Sequence, residues 1–104
     1  MNILFVCSGN KLRSPTAENV FSKQYNTRSA GTSHNAVNVI SIEDIKWADK
    51  VIVMETKHKQ RILAAFNRAM QFKDLIVLNI PDDFKYMDKK LITILENKIP
   101  KLID

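Results

Sequence analysis

Apolar residues along this chain alternate between short unbroken runs and stripes at helical spacing. Ile3-Leu4-Phe5-Val6 is an unbroken run of the kind that fills a strand buried on both faces. Ala17, Val20, Phe21 and Tyr25 then recur at helical intervals and predict an amphipathic helix over residues 14–25. Ser14 is a candidate N-cap for it, with Pro15 in the first helical position and Glu18 near its positive end. Residues 27–30 are a candidate strand that Gly31 ends, and the polar, irregular stretch 32–41 reads as a connection. Ser41 can cap a short helix through Ile42, Ile45 and Ala48. Lys50-Val51-Ile52-Val53-Met54 is a second apolar run, and Thr56 follows as the cap of a helix over residues 57–70. Ile62, Leu63, Phe66 and Met70 mark that helix's buried face. Leu75-Ile76-Val77-Leu78 is a third run, and residues 79–87 form a loop. Asp88 then caps a last helix with Leu91, Ile92, Leu95 and Ile99 inward, which Pro100 is expected to break or kink.

Apolar, β-branched strands alternating with helices imply βαβ units, and so an α/β fold with a parallel sheet covered on both faces. Crossovers in such a sheet are right-handed, and ligands bind beyond the carboxyl ends of its strands. Cys7 falls at the carboxyl end of the first strand, and Asp82 lies four residues past the last. The topology therefore directs attention to one edge of the sheet.

Composition narrows the picture. A chain of 104 residues fits one domain, residues 1–104, and 45% apolar with 26% charged residues argues against wholesale disorder. The formal net charge of +5 favours anionic ligands, but no arginine-rich stripe with interleaved aromatics appears, which argues against nucleic acid. The single cysteine excludes an internal disulfide and a Cys-rich zinc site, and His34 and His58 are too far apart for a local ligand pair. With no basic leader or long h-region at its start and no apolar run of membrane-spanning length, the chain reads as a cytoplasmic protein without a membrane partner.

The stretch between the first strand and first helix carries the chemistry. Cys7, Gly9 and Arg13 lie in a strand-loop-helix turn, with five residues separating cysteine from arginine. Such a turn aims backbone N–H groups and a helix N-terminus at one volume, which suits a phosphate-sized anion. The same positive field holds a thiol at its floor as thiolate, a nucleophile rather than a core filler. Arg13 can grip two phosphoryl oxygens through a planar fork that lysine lacks. No Gly-Lys-Ser/Thr closes the loop, so it is not a nucleotide-binding P-loop.

Val6-Cys7-Ser8-Gly9-Asn10-Lys11-Leu12-Arg13-Ser14-Pro15-Thr16-Ala17-Glu18 resembles the signature of the low-molecular-weight protein tyrosine phosphatase family, a C-x-G-N-x-x-R-S-P loop. Ser29-Ala30-Gly31-Thr32 looks like that family's second strand end, and Ala48-Asp49-Lys50-Val51-Ile52-Val53-Met54 like its third strand. The resemblance implies a flavodoxin-like three-layer αβα sandwich with a four-stranded parallel sheet, and a phosphocysteine intermediate. Carried over, Cys7 is the nucleophile and Arg13 the phosphate clamp. Ser14 hydrogen-bonds the thiolate, and Asn10 holds the loop in its strained shape. Ser8, Gly9, Lys11 and Leu12 act through backbone N–H groups. The family's general acid lies in an Asp-Pro-Tyr segment before its last helix. The matching stretch here is Asp82-Asp83-Phe84, which makes Asp82 the first choice and Asp83 the reserve.

The chain departs from the family pattern at several positions. Only about ten residues follow Gly31 before the next helix, where longer relatives build part of the wall for an aromatic substrate. Lys11 replaces an apolar residue at the pocket mouth, and Leu12 stands where many relatives carry a second cysteine. Phe84 and Tyr86 are left as candidate pocket walls. The function expected is cysteine-dependent hydrolysis of a phosphate monoester, on a phosphotyrosine protein or another aryl or small phosphate, with no metal or other cofactor. The alternatives are a non-catalytic phosphate- or phosphoprotein-binding module, and a cysteine phosphocarrier. Oligomeric state is not legible.

Overall fold

Strand β1 (Asn2–Cys7) and strand β3 (Lys50–Val53) form the centre of a four-stranded sheet in this computed structural model, which describes residues 1–103. Strands β2 (Asn26–Gly31) and β4 (Asp74–Val77) flank them, in the order β2-β1-β3-β4, with every pairing parallel. The candidate strand at 27–30 is thus a full partner of β1, in register from Asn2 opposite Asn26 to Cys7 opposite Gly31.

The unbroken apolar runs have a direct cause. Successive side chains of a strand point to opposite faces, so a strand covered on both sides needs apolar residues at every position. Ile3, Phe5 and Cys7 of β1 enter one core with helices α1 (Arg13–Phe21) and α4 (Lys89–Ile103), through Ala17, Phe21, Leu91, Leu95 and Ile99. Leu4 and Val6 enter the other core with helices α2 (Ile42–Trp47) and α3 (Thr56–Met70), through Ile45, Ile62 and Met70. The result is the three-layer αβα sandwich of the flavodoxin-like type expected from the sequence. Among the described residues, no helix is long and apolar enough to cross a membrane.

Several local expectations are corrected. Helix α1 begins at Arg13 with Leu12 in the cap position, so Ser14 lies inside the first turn, where its hydroxyl is drawn away to other partners. The helix stops at Phe21, because the next residues turn to start β2; Tyr25 packs on the same core from outside the helix. Glu55, not Thr56, holds the cap position of α3. Pro100 does not end α4, which continues to Ile103. Burial of Ile99 and Ile103 on the core outweighs the missing N–H bond. The Ser41 cap forms as expected, in a reciprocal box with Asp44. Asp88 Oδ1 likewise accepts from the Lys90 N–H at 2.9 Å at the start of α4.

Leu95 is fully buried between α4 and the sheet. Leu95→Ala should lower the free energy of unfolding by about 2–5 kcal/mol in urea titration.

Candidate active site

The loop joining β1 to α1 departs from strand geometry in one informative way. Carbonyls of a strand alternate sides, and that of Val6 accepts from the Met54 N–H next to β3 at 3.0 Å. The next three all turn the other way. The carbonyls of Cys7, Ser8 and Gly9 accept from the N–H groups of Thr32, Ser33 and Val37 at 3.0, 3.0 and 3.1 Å. In a trans peptide the following N–H points opposite to the carbonyl. The N–H groups of Ser8 and Gly9 therefore face together, away from segment 32–37, as in an anion-binding nest. Close approach makes glycine obligatory at position 31: a Cβ there would lie 2.4 Å from the Ser8 carbonyl oxygen and 2.6 Å from Ala36 Cβ.

Asn10 closes the turn with a φ of 54°, in the left-handed region that asparagine tolerates better than most residues. Its side chain is committed at both ends. Oδ1 accepts from the Asn38 N–H at 3.1 Å, and Nδ2 donates to Ser14 Oγ at 2.9 Å. Asn38 Nδ2 in turn donates to the Ser29 carbonyl at 2.9 Å. Ser14 Oγ also lies 3.0 Å from Cys7 Sγ and 3.4 Å from the Ala30 carbonyl. With Asn10 donating to its oxygen, the Ser14 proton is left to serve the sulfur or that carbonyl.

The Arg13 guanidinium is almost wholly buried. Its Nη1 donates to Glu55 Oε2 at 2.6 Å and to the Ile80 carbonyl at 2.8 Å. These two bonds occupy both protons of Nη1, so Nε and Nη2 remain as the fork that can meet an anion. Asp82 Oδ1 stands 3.6 Å from Nε. Cys7, Gly9, Lys11, Leu12, Arg13 and Asp82 together line a cavity of about 120 Å³. A thiol, a guanidinium edge, loop backbone and one carboxyl thus converge on a space suited to a single tetrahedral oxyanion.

Behind the loop, the ring of His58 is buried and bonded through both nitrogens: Glu55 N–H donates to Nδ1 at 3.0 Å, and Nε2 is 2.8 Å from Ser8 Oγ. Burial first, and then the Arg13 charge, push its pKa from 6.5 down to about 4, against the opposing pull of Glu55. Glu55 is held below the ordinary carboxylate value, first by its hydrogen bond from Arg13.

The residues singled out in the sequence are mostly brought together. Cys7, Gly9, Lys11, Leu12, Arg13 and Asp82 share the cavity, while Ser8, Asn10 and Ser14 stand behind it. Asp83 is exposed and does not line it. Phe84 packs against the core beside α4, and Tyr86 lines a separate open groove of about 580 Å³ that adjoins the cavity across Lys11. Glu55, His58 and Asn38 were not found in the sequence. Glu55 had a signal, since it lies two residues past β3 at the carboxyl edge where ligands bind; Asn38 had none.

A parallel αβα sheet brings a thiol, a guanidinium edge and a backbone nest together at the end of its first strand, an arrangement that can receive a small anion beside a nucleophile. The model of the family "Low molecular weight phosphotyrosine protein phosphatase" matches residues 2–41. A protein-arginine-phosphatase of Bacillus subtilis (strain 168) is 34% identical, in an alignment covering 65% of this chain and 65% of that relative's length. An arginine phosphatase from Geobacillus stearothermophilus superposes with a TM-score of 0.76 at 24% identity, over 97% of this chain and 92% of that one. A low molecular weight protein tyrosine phosphatase from Streptococcus pyogenes gives 0.77 at 18% identity, over 99% and 93%. The likeness to that family lies in the first strand, the loop after it and the segment through Ser41, and the solved structures share the fold of the whole chain.

Both shifted groups make the fold acid-sensitive. The unfolded chain takes up a proton at His58 below about pH 6.5, whereas the folded chain resists until about 4, so stability drains away across that window. Glu55 adds a loss at lower pH, because its contribution is complete above 4.5 and disappears as pH falls through its depressed folded value. Thermal melts at pH 7 and pH 4.5 should differ by several degrees, lower in acid, and His58→Gln should flatten the dependence. A melting temperature that rises on acidification would contradict this.

Proposed function

We propose that this protein is a cysteine-dependent phosphomonoesterase acting through a phosphocysteine. The observation that carries this reading is the convergence of Cys7, Arg13 and Asp82 on one small cavity. The Cys7 thiolate attacks phosphorus, an S–P bond forms and the bond to the leaving oxygen breaks. Asp82 passes its proton to that oxygen. In the second half, the Asp82 carboxylate takes a proton from water, whose oxygen attacks phosphorus, and the S–P bond breaks to release phosphate. The loop N–H groups and the free Arg13 edge meet the charge spread over the three equatorial oxygens. Ser14 donates to the sulfur when it leaves as thiolate, which eases the second step.

The substrate we assign is a phosphorylated protein side chain, with an aryl ester ahead of a phosphoguanidine. Relatives include enzymes described as tyrosine phosphatases and as arginine phosphatases. Lys11 helps decide between them. Its side chain runs beside Gly9 and lines the mouth through which the leaving group emerges. A guanidinium leaving group meets like charge there, and a phenolate does not.

Cys7→Ser should abolish hydrolysis of an aryl phosphate and of a phosphotyrosine peptide; full activity in that variant would sink the proposal. Phosphate bound without turnover by the unaltered protein would favour a binding module, and a water-stable phosphocysteine would favour a phosphocarrier.

Asp82→Ala should lower kcat/KM, which reports the first half-reaction, by about 10²–10⁴-fold with phenyl phosphate and far less with a nitrophenyl ester, whose leaving group needs no proton. Equal losses with both esters would remove Asp82 from the acid role.

A further inference from the structure

Among the described residues, His58 is the one fully buried titratable group that the proposed chemistry does not use. Any buried imidazole must pair its two nitrogens, and what sets this one apart is where its partners lie: the Glu55 backbone and the side chain of Ser8 in the loop. The Glu55 backbone N–H can only donate, so Nδ1 must be the bare, accepting nitrogen. The ring proton is therefore on Nε2, and Nε2–H donates to Ser8 Oγ. Ser8 directly follows Cys7 in the loop. Its carbonyl is already held from the opposite side by the Ser33 N–H.

We infer that His58 is a positioning residue for phosphate binding: oriented by the Glu55 N–H, its ring fixes Ser8, and with it the peptides whose N–H groups face the anion. This rests on the phosphatase reading of the site. Ser8 is gripped twice, through its side chain from α3 and through its carbonyl from segment 32–37, so its peptide cannot rotate out of the nest. The side-chain grip adds to the carbonyl one, because the three carbonyls turned to one side are held by a connection rather than by a strand. The charged groups acting on the ring are Arg13 and Lys57, opposed by the carboxylates of Glu55 and Asp82. With burial added, the ring stays uncharged at neutral pH. A charged ring would have no acceptor for the Glu55 N–H, and the tether would open. Glu55 thereby serves both halves of the site, with its carboxylate on Arg13 and its backbone on His58.

The test compares the affinity for inorganic phosphate, by calorimetry, with kcat and KM on an aryl phosphate. The variants are His58→Ala, His58→Gln, Ser8→Ala and the His58→Ala/Ser8→Ala pair, each assayed well below its melting temperature. His58→Ala and Ser8→Ala should each weaken phosphate binding and lower kcat/KM by about tenfold. The pair should be no worse than either alone, because the two act as one unit. His58→Gln, which keeps a side-chain N–H donor, should recover much of the loss. Unchanged phosphate affinity in folded His58→Ala, or losses that multiply in the pair, would overturn the inference. If His58→Ala does not fold, Ser8→Ala decides alone: a weakened phosphate affinity supports the tether and an unchanged one overturns it. A wild type that binds phosphate but hydrolyses no ester overturns the phosphatase reading only, and the affinity comparison still decides the role of His58.

Discussion

Everything in this site depends on turning three consecutive peptides the same way. An isolated chain has no reason to present the carbonyls of Cys7, Ser8 and Gly9 to one side, since a strand would alternate them and a helix would pair them along its axis. Segment 32–37 makes the arrangement stable by supplying an N–H to each of the three. Only then do the loop's own N–H groups gather where an anion can reach them. The connection after β2 is thus the outer support of the loop proposed to hold phosphate, although none of its residues lines the cavity. Its brevity is compatible with that task, because three bonds to three consecutive carbonyls need only about six residues.

The second constraint is a buried guanidinium. Taking Arg13 out of water is costly unless its protons are paired, and leaving such a charge without its partner costs about 3–5 kcal/mol. The structure pairs Nη1 with a carboxylate and a carbonyl and leaves Nε and Nη2 toward the cavity. Glu55 and Ile80 come from the loops after β3 and β4, so the clamp is positioned by the same strand ends that bring Asp82 to the site. The proposed nucleophile, clamp and acid are then referred to one rigid frame, the carboxyl edge of a parallel sheet. A displacement of any strand end would move all three.

What was legible in the sequence follows from the range over which each signal acts. The strands of the sheet centre were readable because burial on both faces demands an unbroken apolar run, as in Ile3-Leu4-Phe5-Val6. Strand β2 was harder to read, since Asn26, Thr27 and Arg28 sit on the edge of the sheet and only Ser29, Ala30 and Gly31 are buried. Cys7, Arg13 and Asn10 were readable because five residues of loop hold their whole relationship. Ser14 showed the limit of a local rule: capping chemistry predicted it at the helix start, but Asn10 and Cys7 claim its hydroxyl from within the first turn. Glu55, His58 and Asn38 reach the loop from 28 to 50 residues away, and no periodicity encodes such a contact. The helix is not broken at Pro100 for a related reason, since the burial of Ile99 and Ile103 is a tertiary fact that outweighs a backbone preference.

Gly31 joins these arguments at one atom. As the last residue of β2 it must pair with Cys7, and as the neighbour of the loop it must admit the Ser8 carbonyl to within 2.4 Å of where a Cβ would stand. Its N–H donates to the Asn38 carbonyl and its own carbonyl accepts from the Ile40 N–H, so it also launches the brace that turns the loop. A side chain at this position would push the brace and the loop apart, and the three shared carbonyls would lose their donors together. The glycine that ends the strand is therefore also where the strand, the brace and the loop from β1 to α1 meet. The missing side chain, rather than any freedom of φ, is what the site requires there, since Gly31 does not adopt a positive φ.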